Sequence, residues 1–91
     1  MGACVVLYVR TGDSPLRVGV TAGRKLGGAV ERNRAKRRLR EAFRLLRGRL
    51  SGQGDVVLAA RPRILSAAFP EIVAEMEALC AVGRLMRGRD G

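Results

Sequence analysis

The sequence contains no histidine and no tryptophan, and only one tyrosine and two phenylalanines in 91 residues. Without an imidazole, histidine acid–base chemistry and His-ligated metal centres are excluded. The only cysteines, Cys4 and Cys80, stand 76 positions apart. That spacing gives neither a CxxC pair nor a disulfide framework, and it suits a reducing compartment. No signal-peptide pattern is recognisable, and no apolar run approaches the ~18–20 residues of a membrane span. The expected location is therefore cytoplasmic, with no membrane partner. Acid is scarce too: 8 Asp+Glu face 18 Lys+Arg, for a net charge of +10.

What is present is a globular mix, 47% apolar and 29% charged, rather than a disordered one. Residues 1–91 have room for one domain, and a chain this short buries roughly 60–65% of the surface its unfolded form exposes. Sixteen of the eighteen cations are arginine, and nine cations fall between Arg32 and Arg49. Residues 1–63 carry 15 cations and 4 anions; residues 64–91 carry 3 and 4. The partner this charge implies is a polyanion.

The chain opens with Cys4-Val5-Val6-Leu7-Tyr8-Val9-Arg10, a strand by its β-branched content. Val5, Leu7 and Val9 share one face; Val6, Tyr8 and Arg10 share the other. Thr11 to Pro15 is turn chemistry, and the alternating Arg17 to Ala22 is expected to return as a hairpin partner. Gly23 to Gly28 reads as a flexible loop. It is not a Walker A loop, because Ala29 and Val30 stand where Lys and Ser/Thr are required. From Ala29 to about Arg47 the pattern is helical, with Ala35, Leu39, Ala42, Phe43, Leu46 and Leu50 in a sector of about 100°. Ser51 to Gly54 is a turn, Asp55 to Ala60 a buried strand ended by Arg61-Pro62-Arg63, and Pro70 sits in the first turn of a second helix. That helix carries Ile72, Val73, Met76, Leu79 and Cys80 on one face and is acidic through Glu71, Glu75 and Glu77. Residues 84–91 read as frayed. The order is β-β-α-β-α, an α+β fold with helices packed on a small sheet.

Autonomous catalysis is not expected. Asp13, Asp55 and Asp90 lie in a turn, at a strand start and in the tail, so no carboxylate cluster is available to hold paired metal ions. Ser14, Ser51 and Ser66 lack a histidine to activate them, and neither cysteine has an evident base. A lysine nucleophile is the one type left open, although Lys25 and Lys36 both sit among other cations. The arginine helix points elsewhere. Guanidinium forks pair bidentately with phosphate and stack on bases, and only Glu31 and Glu41 dilute this face. Tyr8 either stacks on an unpaired base or is a rim tyrosine half covered by a helix.

The run from Arg17-Val18-Gly19-Val20 through Lys25-Leu26-Gly27-Gly28-Ala29-Val30-Glu31-Arg32-Asn33-Arg34-Ala35-Lys36-Arg37-Arg38-Leu39-Arg40-Glu41-Ala42-Phe43-Arg44 closely resembles the bacterial ribonuclease P protein component. The likeness continues through Asp55 to Arg61 and the last helix, spanning about residues 4–86. It implies the ribosomal protein S5 domain 2-like fold with a left-handed βαβ crossover, where general chirality favours the right-handed form. It also implies a subunit that binds a catalytic RNA and the 5′ leader of precursor tRNA. The holoenzyme is an endonuclease that removes the leader. The protein contributes no catalytic residue, metal site or cofactor, and Mg2+ is used by the RNA.

By this resemblance Arg32, Asn33, Arg34, Lys36, Arg37, Arg38 and Arg40 dock on the catalytic RNA, and Arg24 and Lys25 add phosphate contacts. Tyr8, with Val6 and Arg10, lies in the cleft that meets the leader. Family members normally begin with a basic helix and a short strand before the position of Cys4. That segment is missing from this sequence, which is either a shortened form or one whose start lies upstream of Met1. Its loss is expected to expose apolar sheet surface that favours self-association.

The rival reading is a non-enzymatic RNA-binding protein of ribosomal type. A zipper-type DNA-binding helix is disfavoured because Ser51-Gly52-Gln53-Gly54 stops the heptads. A membrane-surface helix would lack aromatic anchors, and its apolar stripe is needed for the core.

Overall fold

The computed structural model describes residues 3–50 and 53–82. The frayed segment expected at 84–91 and the first half of the turn at Ser51-Gly52 lie outside those residues. Three strands, β1 (Val5–Pro15), β2 (Arg17–Ala22) and β3 (Gln53–Ala60), form one sheet. Two helices, α1 (Ala29–Leu46) and α2 (Phe69–Val82), pack on one side of it, as the α+β reading expects.

The strand order is β1-β3-β2, which corrects the expected hairpin. β1 runs antiparallel to β3, β2 runs parallel to β3, and β1 and β2 never pair. Thr11 to Pro15, expected as a turn, belongs to β1, which extends to Pro15. Thr11 pairs with Gly54 and Pro15 with Gln53, with a register shift between them. The chain thus arches over the start of β3 and comes down on its far side. Val56, Val57, Leu58, Ala59 and Ala60 make β3 the most apolar strand, so the central position, flanked by two strands and covered by helices, belongs to it. Alternation within β1 and β2 cannot report a third strand between them.

Because paired residues share a face, the register sorts the sheet into two surfaces. One face carries the rows Val5–Ala60–Ala22, Leu7–Leu58–Val20 and Val9–Val56–Val18. It packs against Ala35, Leu39, Ala42, Phe43 and Leu46 of α1 and Ile72, Met76 and Cys80 of α2. These are the stripes read from the sequence, and Val73 and Leu79 border the core as half-buried neighbours. Leu50 is buried beyond the end of α1. The loop at 23–28 is more ordered than expected: Arg24–Leu26 form a 3-10 turn, and Leu26 is buried in the core. After β3, Pro62–Leu65 form another 3-10 turn that inserts Ile64 into the core.

Two polar contacts tie α2 and its approach to the rest of the fold. Glu75 Oε2 accepts the backbone N–H groups of Cys4 at 2.7 Å and Val5 at 2.8 Å, fixing the entry of β1. Arg38 Nη2 donates to the Ala67 carbonyl, joining α1 to the segment just before α2. Glu71, in the first turn of α2, pairs with Arg63 at 2.7 Å. That pairing and hydrogen bond push the exposed Arg63 guanidinium above its ordinary pKa.

Candidate nucleic-acid interface

The second face of the sheet carries the rows Val6–Ala59–Thr21, Tyr8–Val57–Gly19 and Arg10–Asp55–Arg17. Tyr8 is 59% exposed and Val57 38% exposed, high values for the middle of a sheet. The structure therefore answers the question left at Tyr8. Among the described residues no helix covers its ring. A Cβ placed on Gly19 would meet nothing within 4 Å, so this row falls away to empty space on the β2 side. At one end of the platform Asp55 lies between Arg10 and Arg17 in register and accepts from Arg17 Nε at 3.0 Å. The result is a flat aromatic and aliphatic patch with cations at one margin, a geometry on which a base can stack while its phosphate meets arginine.

The arginine helix lies on the other side of the sheet. At about 100° per residue, Asn33, Lys36, Arg37, Arg40, Arg44 and Arg47 fall in one sector along the flank nearer β2. Asn33, Arg37, Arg40, Arg44 and Arg47 are exposed, and Lys36 is half-buried. Arg34 is exposed on the opposite flank. Arg32 projects toward the core in the first turns and is half-buried, with its Nε unpaired. Arg38 differs from the rest, being half-buried, with one guanidinium nitrogen on Ala67 and its Nε unpaired.

The helix start is built from glycine and a carboxylate. Gly27 has φ 126°, a conformation that L side chains rarely adopt, and a Cβ there would come within 3.2 Å of the Glu31 side chain. Glu31 Oε1 accepts the Gly28 N–H at 3.0 Å, covering one of the free donors of the first turn. Arg24 and Lys25 are exposed on the preceding 3-10 turn. They stand near the helix start, where backbone donors and the dipole favour an anion.

The candidate residues thus form two groups. Tyr8, Val6 and Arg10 share the open sheet face. Arg24, Lys25, Arg32, Asn33, Arg34, Lys36, Arg37 and Arg40 belong to α1 and its approach, on the opposite side. Sequence reasoning missed Val57 and Gly19, which complete the Tyr8 platform, because it paired β2 with the wrong strand. It also passed over Arg44 and Arg47 as site residues, although their spacing from Arg40 placed them on the same flank.

A basic α+β domain with an arginine-bearing crossover helix on one side of a three-stranded sheet and a bare aromatic face on the other is the class these features define. A family model described as Ribonuclease P matches residues 1–82. The ribonuclease P protein component of Symbiobacterium thermophilum is 49% identical over 77 residues, covering 85% of this chain and 67% of that protein. The corresponding protein of Chloroflexus aurantiacus is 46% identical over 65 residues, covering 70% of this chain and 48% of the relative. The chain thus spans two thirds of one relative's length and about half of the other's.

Among solved structures, the RNase P protein from Thermotoga maritima superposes with a TM-score of 0.76 at 26% identity, covering 99% of this chain and 82% of that one. The Staphylococcus aureus RNase P protein gives a TM-score of 0.79 at 24% identity, covering 96% and 81%, a likeness of fold. The chain belongs to the ribonuclease P protein family.

Proposed function

We propose that this chain acts as the protein subunit of ribonuclease P, binding the catalytic RNA and the 5′ leader of precursor tRNA in the cytoplasm. The observation that carries this reading is the separation of the two groups. A phosphate-binding helix flank and a base-stacking sheet face lie on opposite sides of one thin domain. One side suits docking on a folded RNA through Arg34, Arg37 and Arg40, with Arg24 and Lys25 at the helix start. The other offers Tyr8, Val6 and Arg10 to a single strand. Arginine density of this kind neutralises phosphate repulsion between two polyanions, which raises substrate affinity and lowers the divalent-ion requirement. The bond-breaking chemistry belongs to the RNA and its Mg2+ ions. No described helix is long and apolar enough to cross a membrane.

The test is precursor-tRNA cleavage at low magnesium by a bacterial ribonuclease P RNA, with and without this chain. Stimulation is expected, and Tyr8→Ala should weaken binding of leader-bearing substrate more than binding of mature tRNA. Equal losses on both would refute the leader role. RNA binding without stimulation would refute the assisting role, and absence of binding would overturn the reading as a whole.

A further inference from the structure

Beside the C-terminal half of α1, the helix flank and edge strand β2 leave a groove of about 280 Å³ between them. Val18, Val20 and Phe43 form its apolar bottom and wall, and Arg40, Arg44 and Arg47 form its rim. The volume lies just below the roughly 300–1,000 Å³ of drug-sized sites, so it suits one ring system with a short polar extension. Among the described residues no carboxylate lines it. The three arginines are spaced i, i+4 and i+7, so they repel one another along the helix, a cost that an anion relieves.

Two further features define the occupant. The Arg47 guanidinium stands 6.0 Å from the Phe43 ring centroid, held above the apolar bottom. A guanidinium in that position can cover a second flat ring laid in the groove. Among the described residues β2 pairs only with β3, so alternate backbone N–H and C=O groups of β2 point outward beside the groove. An aliphatic acid would use the wall and the rim, but neither the flat stacking position nor the edge donors and acceptors. A nucleotide uses all four.

We infer that this groove takes one unpaired nucleotide of a bound RNA, its base against the half-buried Val18 and Val20 where the almost wholly buried Phe43 backs the groove, and its phosphates on Arg40, Arg44 and Arg47. The inference rests on the RNA-binding reading and adds a base-holding subsite at the far end of the helix from Arg32–Arg34. The subsite lies on the helix side of the sheet, away from Tyr8.

The experiment is an NMR titration of the full chain with adenosine 3′,5′-bisphosphate, with ribose 5-phosphate and inorganic phosphate as controls. The bisphosphate is expected to shift the Val18 and Val20 methyl resonances and to give nuclear Overhauser contacts between base protons and those methyls. The controls are expected to leave the methyls still. Arg44→Ala with Arg47→Ala, both exposed positions, should raise the half-saturation concentration about tenfold, the equivalent of one charge-assisted contact.

Methyls that stay still, or that respond equally to ribose 5-phosphate, overturn the subsite. An acidic aromatic peptide that moves the same methyls at lower concentration than the bisphosphate overturns the choice of partner. Binding of a bacterial ribonuclease P RNA is measured on the same samples. RNA binding with a silent groove removes the subsite and keeps the functional reading; a responsive groove without RNA binding overturns the functional reading and, with it, the assignment of the occupant to a bound RNA.

Discussion

Arg38 on α1 donates from Nη2 to the carbonyl oxygen of Ala67 at 2.5 Å, joining the crossover helix to the turn that launches α2. The residue sits in the middle of the arginine run, yet part of its hydrogen-bonding capacity is spent inside the fold. Arg38→Ala should therefore lower stability by about 1.5–3 kcal/mol, the range for a hydrogen bond from a charged donor. Arg37→Ala, one position away and exposed, should leave stability within about 0.5 kcal/mol. Denaturant melts of the two variants make the comparison. Equal midpoints would show that the Ala67 contact does not hold the helices.

Glu75 is the second such tie. Its Oε2 accepts two backbone N–H groups at the entry of β1, and both lose their partner when the carboxylate is removed. Glu75→Ala should cost about 2–6 kcal/mol, at about 1–3 for each of the two part-buried donors left unmet. Glu75→Gln keeps an acceptor oxygen and should cost less. A thermal melt in which Ala and Gln behave alike would remove the carboxylate from the account.

Gly19 separates folding from binding. A Cβ there meets nothing within 4 Å, and its side of the sheet is the open one that bears Tyr8. Gly19→Val should be neutral or slightly stabilising in a melt, because valine suits an extended strand better than glycine. The same change puts a branched side chain beside the platform and should weaken binding of leader-bearing precursor tRNA. Unchanged leader affinity would show that the substrate does not reach the β2 edge of this face.

The thiols give a pH signature. Burial, followed by the neighbouring Glu75 and Glu71 carboxylates, raises the Cys4 pKa above 9.0, and burial alone raises that of Cys80. A raised folded pKa means that the native state holds its proton more tightly than the unfolded chain. The contribution is complete below the unfolded value near 9.0 and is lost as pH rises through the folded values. Both thiols should react slowly with a disulfide reagent at pH 7 and quickly in denaturant. The alkaline loss of stability should be shallower in a Cys4→Ala, Cys80→Ala variant, and superimposable alkaline limbs would contradict the shift.

The helix was readable in advance because its signal is periodic and local. Ala35, Leu39, Ala42, Phe43 and Leu46 recur at helical spacing and are buried together. Sheet order was not readable, since Val18 and Val20 alternate identically whether their neighbour is Leu7 or Leu58. Leu26 was hidden among glycines and cations, where composition suggests a solvated loop, yet one apolar side chain anchors that turn. Arg38 could not be told from Arg37 by residue type, because the difference lies in the Ala67 carbonyl, 29 positions away. The groove under Arg44 and Arg47 depends on which strand forms the sheet edge, and so inherited the error in strand order.

The arch of β1 over the start of β3 also dictates when the domain can assemble. The first two strands do not pair with each other, and even the nearest partners in the described sheet, such as Arg17 and Asp55, are 38 positions apart. During synthesis neither of the first two strands has a mate until the third has left the ribosome. The arginine helix, whose backbone hydrogen bonds are all local, has been synthesised before that moment. Its charge is thus on offer to an RNA while the sheet is still unmade, and the nucleic acid can serve as a surface on which the rest of the chain closes.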